Sequence, residues 1–148
     1  AEDVMHWLGD VVVAEDFAVK TTEAPHYRRV LQQRDDVDSG RRGGITAGDG
    51  FAFVSHTGDM YPSGFLPESA GNVRETGVVS LYRDSELFES LRETDSLKGK
   101  CGACPFRTVC GGSRSRAYAY TGDPLESDPL CPYVPPEYDG ALPEQQLS

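Results

Sequence analysis

The sequence predicts an α+β chain: a small β-hairpin and helix domain with a cysteine-rich loop region, preceded by a partial edge of an α/β domain. Three observations carry that prediction. All four cysteines fall within residues 101–131, as Cys101-Gly-Ala-Cys104, five residues, Cys110, twenty residues, Cys131. Residues 50–62 alternate in character around the turn Thr57-Gly58-Asp59, as a hairpin does. The first 34 residues follow a helix, strand, helix pattern, too short to bury both faces of a sheet.

Composition bounds what the chain can be. Its 148 residues allow one ordinary domain, or a small domain with a fragment of another. Only 38% are hydrophobic, with sixteen glycines and ten prolines, so much of the chain is loop and a small core gains from a staple such as a metal. The net charge of −10 disfavours nucleic-acid and anionic membrane partners. The acidity is spread along the chain, as on a solvated acidic surface or in a protein of a high-salt cytoplasm. Residues 1–9 lack a basic start followed by an apolar run, so no signal peptide is read. The most apolar short run, residues 11–14, is far below the roughly 20 residues of a membrane span. A cytoplasmic setting is expected, where reduced thiols favour metal binding over disulfides.

In chain order, residues 3–9 place Val4, Trp7 and Leu8 on one helical face, with Trp7 as a packing residue and Gly9 and Asp10 closing the helix. Phe17, Val19 and Thr21 alternate with Ala18, Lys20 and Thr22, a strand that Pro25 ends. Residues 26–33 form a short helix with Tyr27, Val30 and Leu31 apolar. Residues 35–44 are a polar, glycine-bearing linker in which Arg41 and Arg42 either hold an anion or mark a solvated hinge. After the hairpin, residues 62–77 are loop, and residues 78–82 make a helical turn. Asp84 or Ser85 caps a helix running to about Arg92, with Leu87, Phe88 and Leu91 inward and Leu97 closing a small core. Residues 45–136 are one domain, and residues 137–148 a loosely attached acidic tail.

The cysteines carry the chemistry. A CxxC pair brings two sulfurs to one metal centre, five residues return Cys110 to it, and Cys131 completes four ligands between Pro129 and Pro132. Gly111 and Gly112 let the backbone approach closely and turn N–H groups toward sulfur. Spacing alone leaves a four-thiolate zinc site and an iron–sulfur cluster equally open.

The segments Lys100-Cys-Gly-Ala-Cys104, Val109-Cys-Gly-Gly-Ser-Arg-Ser-Arg-Ala-Tyr-Ala119, Thr121-Gly-Asp123 and Asp128-Pro-Leu-Cys131 closely resemble the C-terminal auxiliary-cluster domain, SPASM/twitch, of radical S-adenosylmethionine enzymes. Gly43-Gly-Ile-Thr-Ala-Gly48 and Thr57-Gly-Asp-Met-Tyr-Pro62 resemble its upstream part. Val19-Lys-Thr-Thr-Glu-Ala-Pro-His-Tyr-Arg-Arg-Val30 resembles the last strand region of the catalytic barrel in the haem and haem d1 synthesis branch. The likeness covers nearly all of residues 1–135. It implies that residues 1–34 are the edge of a (β/α) barrel, and that the missing barrel, in the same chain or a separate subunit, is the main partner. It also implies a small-molecule substrate, most readily a tetrapyrrole, with an electron-donor protein as a further partner. A peptide substrate, as in the peptide-maturation members, is the alternative.

Two departures shape the expectation. Ile45 and Ser63 stand where other members carry upstream cysteines, and Arg114 where a further cysteine often falls. The resemblance therefore implies a single 4Fe–4S cluster on Cys101, Cys104, Cys110 and Cys131, fully cysteine-ligated and suited to electron transfer rather than to anchoring substrate. The CxxxCxxC motif that cleaves S-adenosylmethionine is absent, so that cofactor belongs to the missing part and no radical chemistry is expected from this chain alone. The resemblance implies that His26 and Tyr27 border the active site, where either could touch substrate; a generic surface or capping role is the more ordinary reading of His26. Arg107, Arg114 and Arg116 either offset cluster charge, pair with a substrate carboxylate, or, for the latter two, pair with Asp123 or Asp128. Tyr118 and Tyr120 either shield the cluster or simply pack.

Overall fold

The computed structural model describes residues 2–36 and 46–143. They form a small α+β arrangement with one short antiparallel sheet and several short helices. The chain opens with α1 (Glu2–Ala14) and α2 (His26–Gln32), which pack on each other through Met5, Tyr27 and Val30. Leu8, Val19, Ala24 and Leu31 close that cluster.

Here the sequence reading needs three corrections. Helix α1 does not end at Gly9 but runs on through the three valines to Ala14. Gly9 is instead a crossing point, since a Cβ there would lie 2.9 Å from Arg34 Nη1. Arg34 uses the space to donate to Asp10 Oδ1 at 2.7 Å and to the His6 carbonyl at 3.3 Å. The buried face is Met5 and Gly9 rather than Val4 and Trp7, and Trp7 is 60% exposed. Third, residues 17–24 are not a strand. No strand pairs with them among the described residues, and the alternating pattern becomes a turn closed by Thr21 Oγ1 donating to the Ala24 carbonyl. Helix–strand–helix is thus helix–coil–helix, and no closed barrel is formed among the described residues.

The hairpin is present. Strand β1 (Phe53–Val54) pairs with β2 (Asp59–Tyr61) in the register Phe53 with Tyr61 and Val54 with Met60. Its turn is locked by side chains: Thr57 Oγ1 donates to Asp59 Oδ2 at 2.7 Å, and the Asp59 N–H donates to Ser55 Oγ at 3.0 Å. A third strand, β3 (Gly71–Asn72), adds to β2 from within the segment expected to be loop. Two residues with no apolar alternation give no periodicity to find.

Two helices cover the sheet. These are α3 (Val78–Asp84) and α4 (Glu86–Arg92), the latter capped by Ser85 Oγ, which accepts the Phe88 N–H. Phe88 is fully buried against Met60 and Leu81, with Tyr82 tilted over it at 5.3 Å. This cluster is the core of the cysteine-bearing half. Phe88→Ala is expected to lower folding stability by about 3–5 kcal/mol, read as a lower urea midpoint at unchanged slope; a loss under about 1 kcal/mol would show the core elsewhere.

A 3-10 turn (Thr94–Ser96) leads into α5 (Gly99–Gly102), which carries Cys101, and the chain continues to α6 (Arg114–Thr121). Helix α6, not foreseen from sequence, is capped by Ser113 Oγ and ends at left-handed Gly122. Residues 137–143 are largely exposed coil. Most of the expected linker, with Arg41 and Arg42, lies outside the described residues, as does Ile45. No described helix is long and apolar enough to cross a membrane.

Candidate metal centre

Cys101, Cys104, Cys110 and Cys131 are all unpaired thiols, and all four line one cavity. Cys101, Cys110 and Cys131 are buried and Cys104 is half-buried. Among the described residues, no three His, Cys, Asp or Glu side chains form a ready-made group for a metal ion.

Each sulfur also meets backbone N–H. Phe106, Gly112 and Tyr133, each two residues beyond its cysteine, donate to Cys104, Cys110 and Cys131. The Asp128 N–H approaches Cys101 Sγ at 3.4 Å. Gly111 and Gly112 make this possible with φ of 65° and 68°, a backbone region open to glycine and strained for other residues. A Cβ on Gly112 would also stand 3.0 Å from Cys101 Sγ and 2.9 Å from Asp128 Cβ.

The cavity wall is cationic although the chain is acidic. Arg29, Lys100 and Arg107 line it, and Arg114 Nη2 lies 3.5 Å from Cys101 Sγ. Lys100 is 4% exposed, and its ammonium donates to the Cys131 carbonyl, with no carboxylate ion-paired to it among the described residues. Arg29 is as deeply buried, and its Nε has no hydrogen-bond partner. Buried cations and an orphaned donor are costly unless negative charge is brought to them. Four thiolates around an inorganic centre bring that charge, so the residues present fit a cluster. In the free thiol state, burial pushes Cys110 up to about 12 against the pull of the Gly112 N–H. Burial also raises Cys104 and Cys131. Loading such a site therefore releases protons.

Comparison with known proteins bears on what this arrangement is. No protein-family model matches the chain. It is 39% identical over 145 residues to the AdoMet-dependent heme synthase of Methanosarcina barkeri, covering 90% of this chain and 42% of that protein. The AdoMet-dependent heme synthase of Nitratidesulfovibrio vulgaris is 39% identical over 146 residues, with 90% and 40% covered. The Pre-heme d1 synthase of Dinoroseobacter shibae is 41% identical over 93 residues, with 60% and 23% covered. The chain belongs to the family of SPASM-domain radical S-adenosylmethionine enzymes, near the haem-synthesis branch. It spans about two-fifths of the length of the two heme synthases it matches.

In this member of the family the other sequence-selected residues divide. Arg107 lines the cysteine cavity and pairs with Asp95 at 2.8 Å. Arg114, buried, donates to the Pro124 and Glu126 carbonyls at 2.8 and 2.9 Å rather than to a carboxylate. Arg116 pairs with Asp128, and its Nη1 donates to the Glu23 carbonyl. Asp123 pairs with Lys98 and fixes its turn by accepting the Leu125 N–H at 2.8 Å. Ser63, at one of the positions where other members carry a cysteine, is buried beside Ser115 Oγ at 3.4 Å.

His26 and Tyr27 are buried in the helix pair, not presented on a surface, and neither lines the cysteine cavity. Neither ring nitrogen of His26 has a partner, and burial lowers its pKa. The Tyr27 hydroxyl donates to the Leu8 carbonyl at 3.4 Å. Tyr120 is 40% exposed; the aromatic ring at the cavity wall is Tyr133. Sequence reasoning passed over Arg29, Lys100 and Tyr133. Lys100 and Tyr133 each adjoin or nearly adjoin a cysteine, which is a usable signal; Arg29 has none.

A second cavity, of about 370 Å³, meets the first at Gly112, and Arg114 also lines it. Phe51, Phe53 and Phe65 from the hairpin side and Thr21, Glu23 and Arg28 from the N-terminal segment contribute to its wall.

Proposed function

We propose that the chain binds one 4Fe–4S cluster through Cys101, Cys104, Cys110 and Cys131. It would serve electron transfer or substrate positioning in a radical S-adenosylmethionine enzyme that acts on a tetrapyrrole. Residues 45–136 are the auxiliary domain in this reading, and residues 1–34 the edge of a catalytic barrel supplied by the rest of the enzyme. The observation that carries it is the single cavity lined by all four thiols, with amide N–H groups on each sulfur and a cationic wall. Kinship with the radical S-adenosylmethionine enzymes favours an iron–sulfur centre over a single zinc ion. The tetrapyrrole substrate is carried over from the heme and pre-heme d1 synthases that the chain resembles.

When bound, the cluster supplies one-electron storage at a potential set by hydrogen bonds to sulfur, net charge and exposure. The chain's residues hold and condition it. The four cysteines give up their protons and bind. The amides of Phe106, Gly112, Asp128 and Tyr133 direct N–H toward sulfur, favouring thiolate over thiol. Arg114 and Lys100 offset charge from the buried side, and Tyr133 excludes water. The larger cavity, which meets the cysteine cavity at Gly112, offers an apolar substrate edge an approach toward the cysteines.

The test is metal content after anaerobic reconstitution of this chain. The expected result is about four irons and four sulfides per chain, with absorbance near ~400 nm. One zinc per chain, with iron and sulfide excluded, would overturn the reading in favour of a structural zinc module.

A further inference from the structure

Arg29 belongs to α2, the helix of the N-terminal segment, yet its side chain forms part of the wall of the cysteine cavity. It is only 2% exposed. Nη1 donates to Gln33 Oε1 at 2.7 Å, and Nη2 donates to both carboxylate oxygens of Glu2 at 2.7 Å each. The guanidinium carbon lies 5.0 Å from the centre of the Tyr133 ring, two residues beyond Cys131. The group is therefore held on three sides, and the Nε–H is left without a partner. Gln33 and Glu2 account for the two Nη groups. Nothing among the described residues accounts for the Nε–H.

A four-thiolate iron–sulfur cluster is anionic, and gaining an electron makes it more so. A fixed cation at its wall stabilises the reduced form more than the oxidised one, because the interaction grows with the charge it faces. We propose that Arg29 is a charge-compensating residue of the cysteine site, a clamped cation from the N-terminal segment that raises the reduction potential of the bound cluster. This inference rests on the cluster reading above. In the step concerned the cluster gains one electron from an external low-potential donor, and no covalent bond to the chain forms or breaks. The N-terminal segment thereby acts on the cluster through a side chain, and not only by packing beside it.

The experiment compares Arg29→Gln, Arg29→Lys and Glu2→Gln in the full 148-residue chain, reconstituted anaerobically. The potential is read by mediated titration, following the paramagnetic signal of the reduced cluster. Arg29→Gln should make the cluster harder to reduce, shifting the oxidised-to-reduced ratio at a fixed potential by about tenfold, or about 59 mV for one electron. Arg29→Lys should fall between that variant and wild type. Glu2→Gln breaks the same ion pair but leaves the cation, so its potential should stay level or rise.

Arg29→Gln with a full cluster at the wild-type potential would overturn the inference and leave the cluster reading intact. Equal downward shifts in Arg29→Gln and Glu2→Gln would also overturn it, as loss of a shared structural tie. If Arg29→Gln retains no cluster, the neutral Arg29→Met, which keeps more of the side-chain volume, decides: a lowered potential, or a cluster kept by Arg29→Lys and lost from both neutral variants, supports the inference, and an unchanged potential in Arg29→Met rejects it. A wild-type chain that takes up no iron would overturn the cluster reading, and this inference with it.

Discussion

Cys131→Ser is expected to abolish retention of the four-iron cluster, with iron after reconstitution and desalting falling from about four per chain to under one. Twenty residues separate Cys131 from Cys110, yet both line the same cavity. Its sulfur receives the Tyr133 N–H, and its carbonyl accepts the Lys100 ammonium. Serine keeps the shape and the carbonyl, so the change tests the thiolate alone. The absorbance near ~400 nm should fall with the iron, while helix content in the metal-free state stays at the wild-type level. Full iron with an unchanged spectrum would remove Cys131 from the ligand set and reopen the assignment of the fourth position.

Asp128→Ala is the second large effect, and it acts on folding. The Asp128 carboxylate is fully buried. It accepts the Ser113 N–H at 2.8 Å, the Leu130 N–H at 3.1 Å, and Arg116 Nε and Nη2 at 3.0 and 2.7 Å. One side chain thus ties the N-cap of α6 to the loop that delivers Cys131. Its loss leaves the Arg116 charge half-buried and two amides unmatched, at a cost of about 3–5 kcal/mol. Urea unfolding of the metal-free chain at neutral pH measures this, and a loss below about 1 kcal/mol would show the network to be dispensable. Asp128→Asn keeps an acceptor for the amides and should lose less.

The pH dependence follows from the sign of the shift. Burial pushes the Asp128 carboxyl up, but the Arg116 and Ser113 hydrogen bonds and the Arg116 charge together hold it below the usual carboxylate range. A depressed folded value means that the stabilisation is complete above the unfolded value of about 3.9 and is lost as pH falls through the folded one. The difference between wild type and Asp128→Ala should therefore narrow only below about pH 4.

Local features were legible where short-range chemistry determines them. Ser85 caps α4, and Thr57-Gly58-Asp59 turns the hairpin, because each depends on neighbours within a few residues. The reading failed where tertiary contacts override local pattern. Alternation at residues 17–22 read as a strand, but a strand exists only by pairing, and none pairs there among the described residues. Gly9 read as a helix stop, but its missing side chain admits Arg34 from twenty-five residues away.

By itself the sequence determined four thiols at metal-ligand spacing, glycines beside the third of them, and an acidic chain of α+β class. The tertiary structure alone decided what surrounds those thiols. Arg29 and Lys100 reach one cavity from positions 71 residues apart, and Tyr133 rather than Tyr118 or Tyr120 covers it. Spacing encodes ligands because a short loop limits how far apart two sulfurs can stand. The charge around them depends on contacts between distant segments, which leave no local periodicity in the chain.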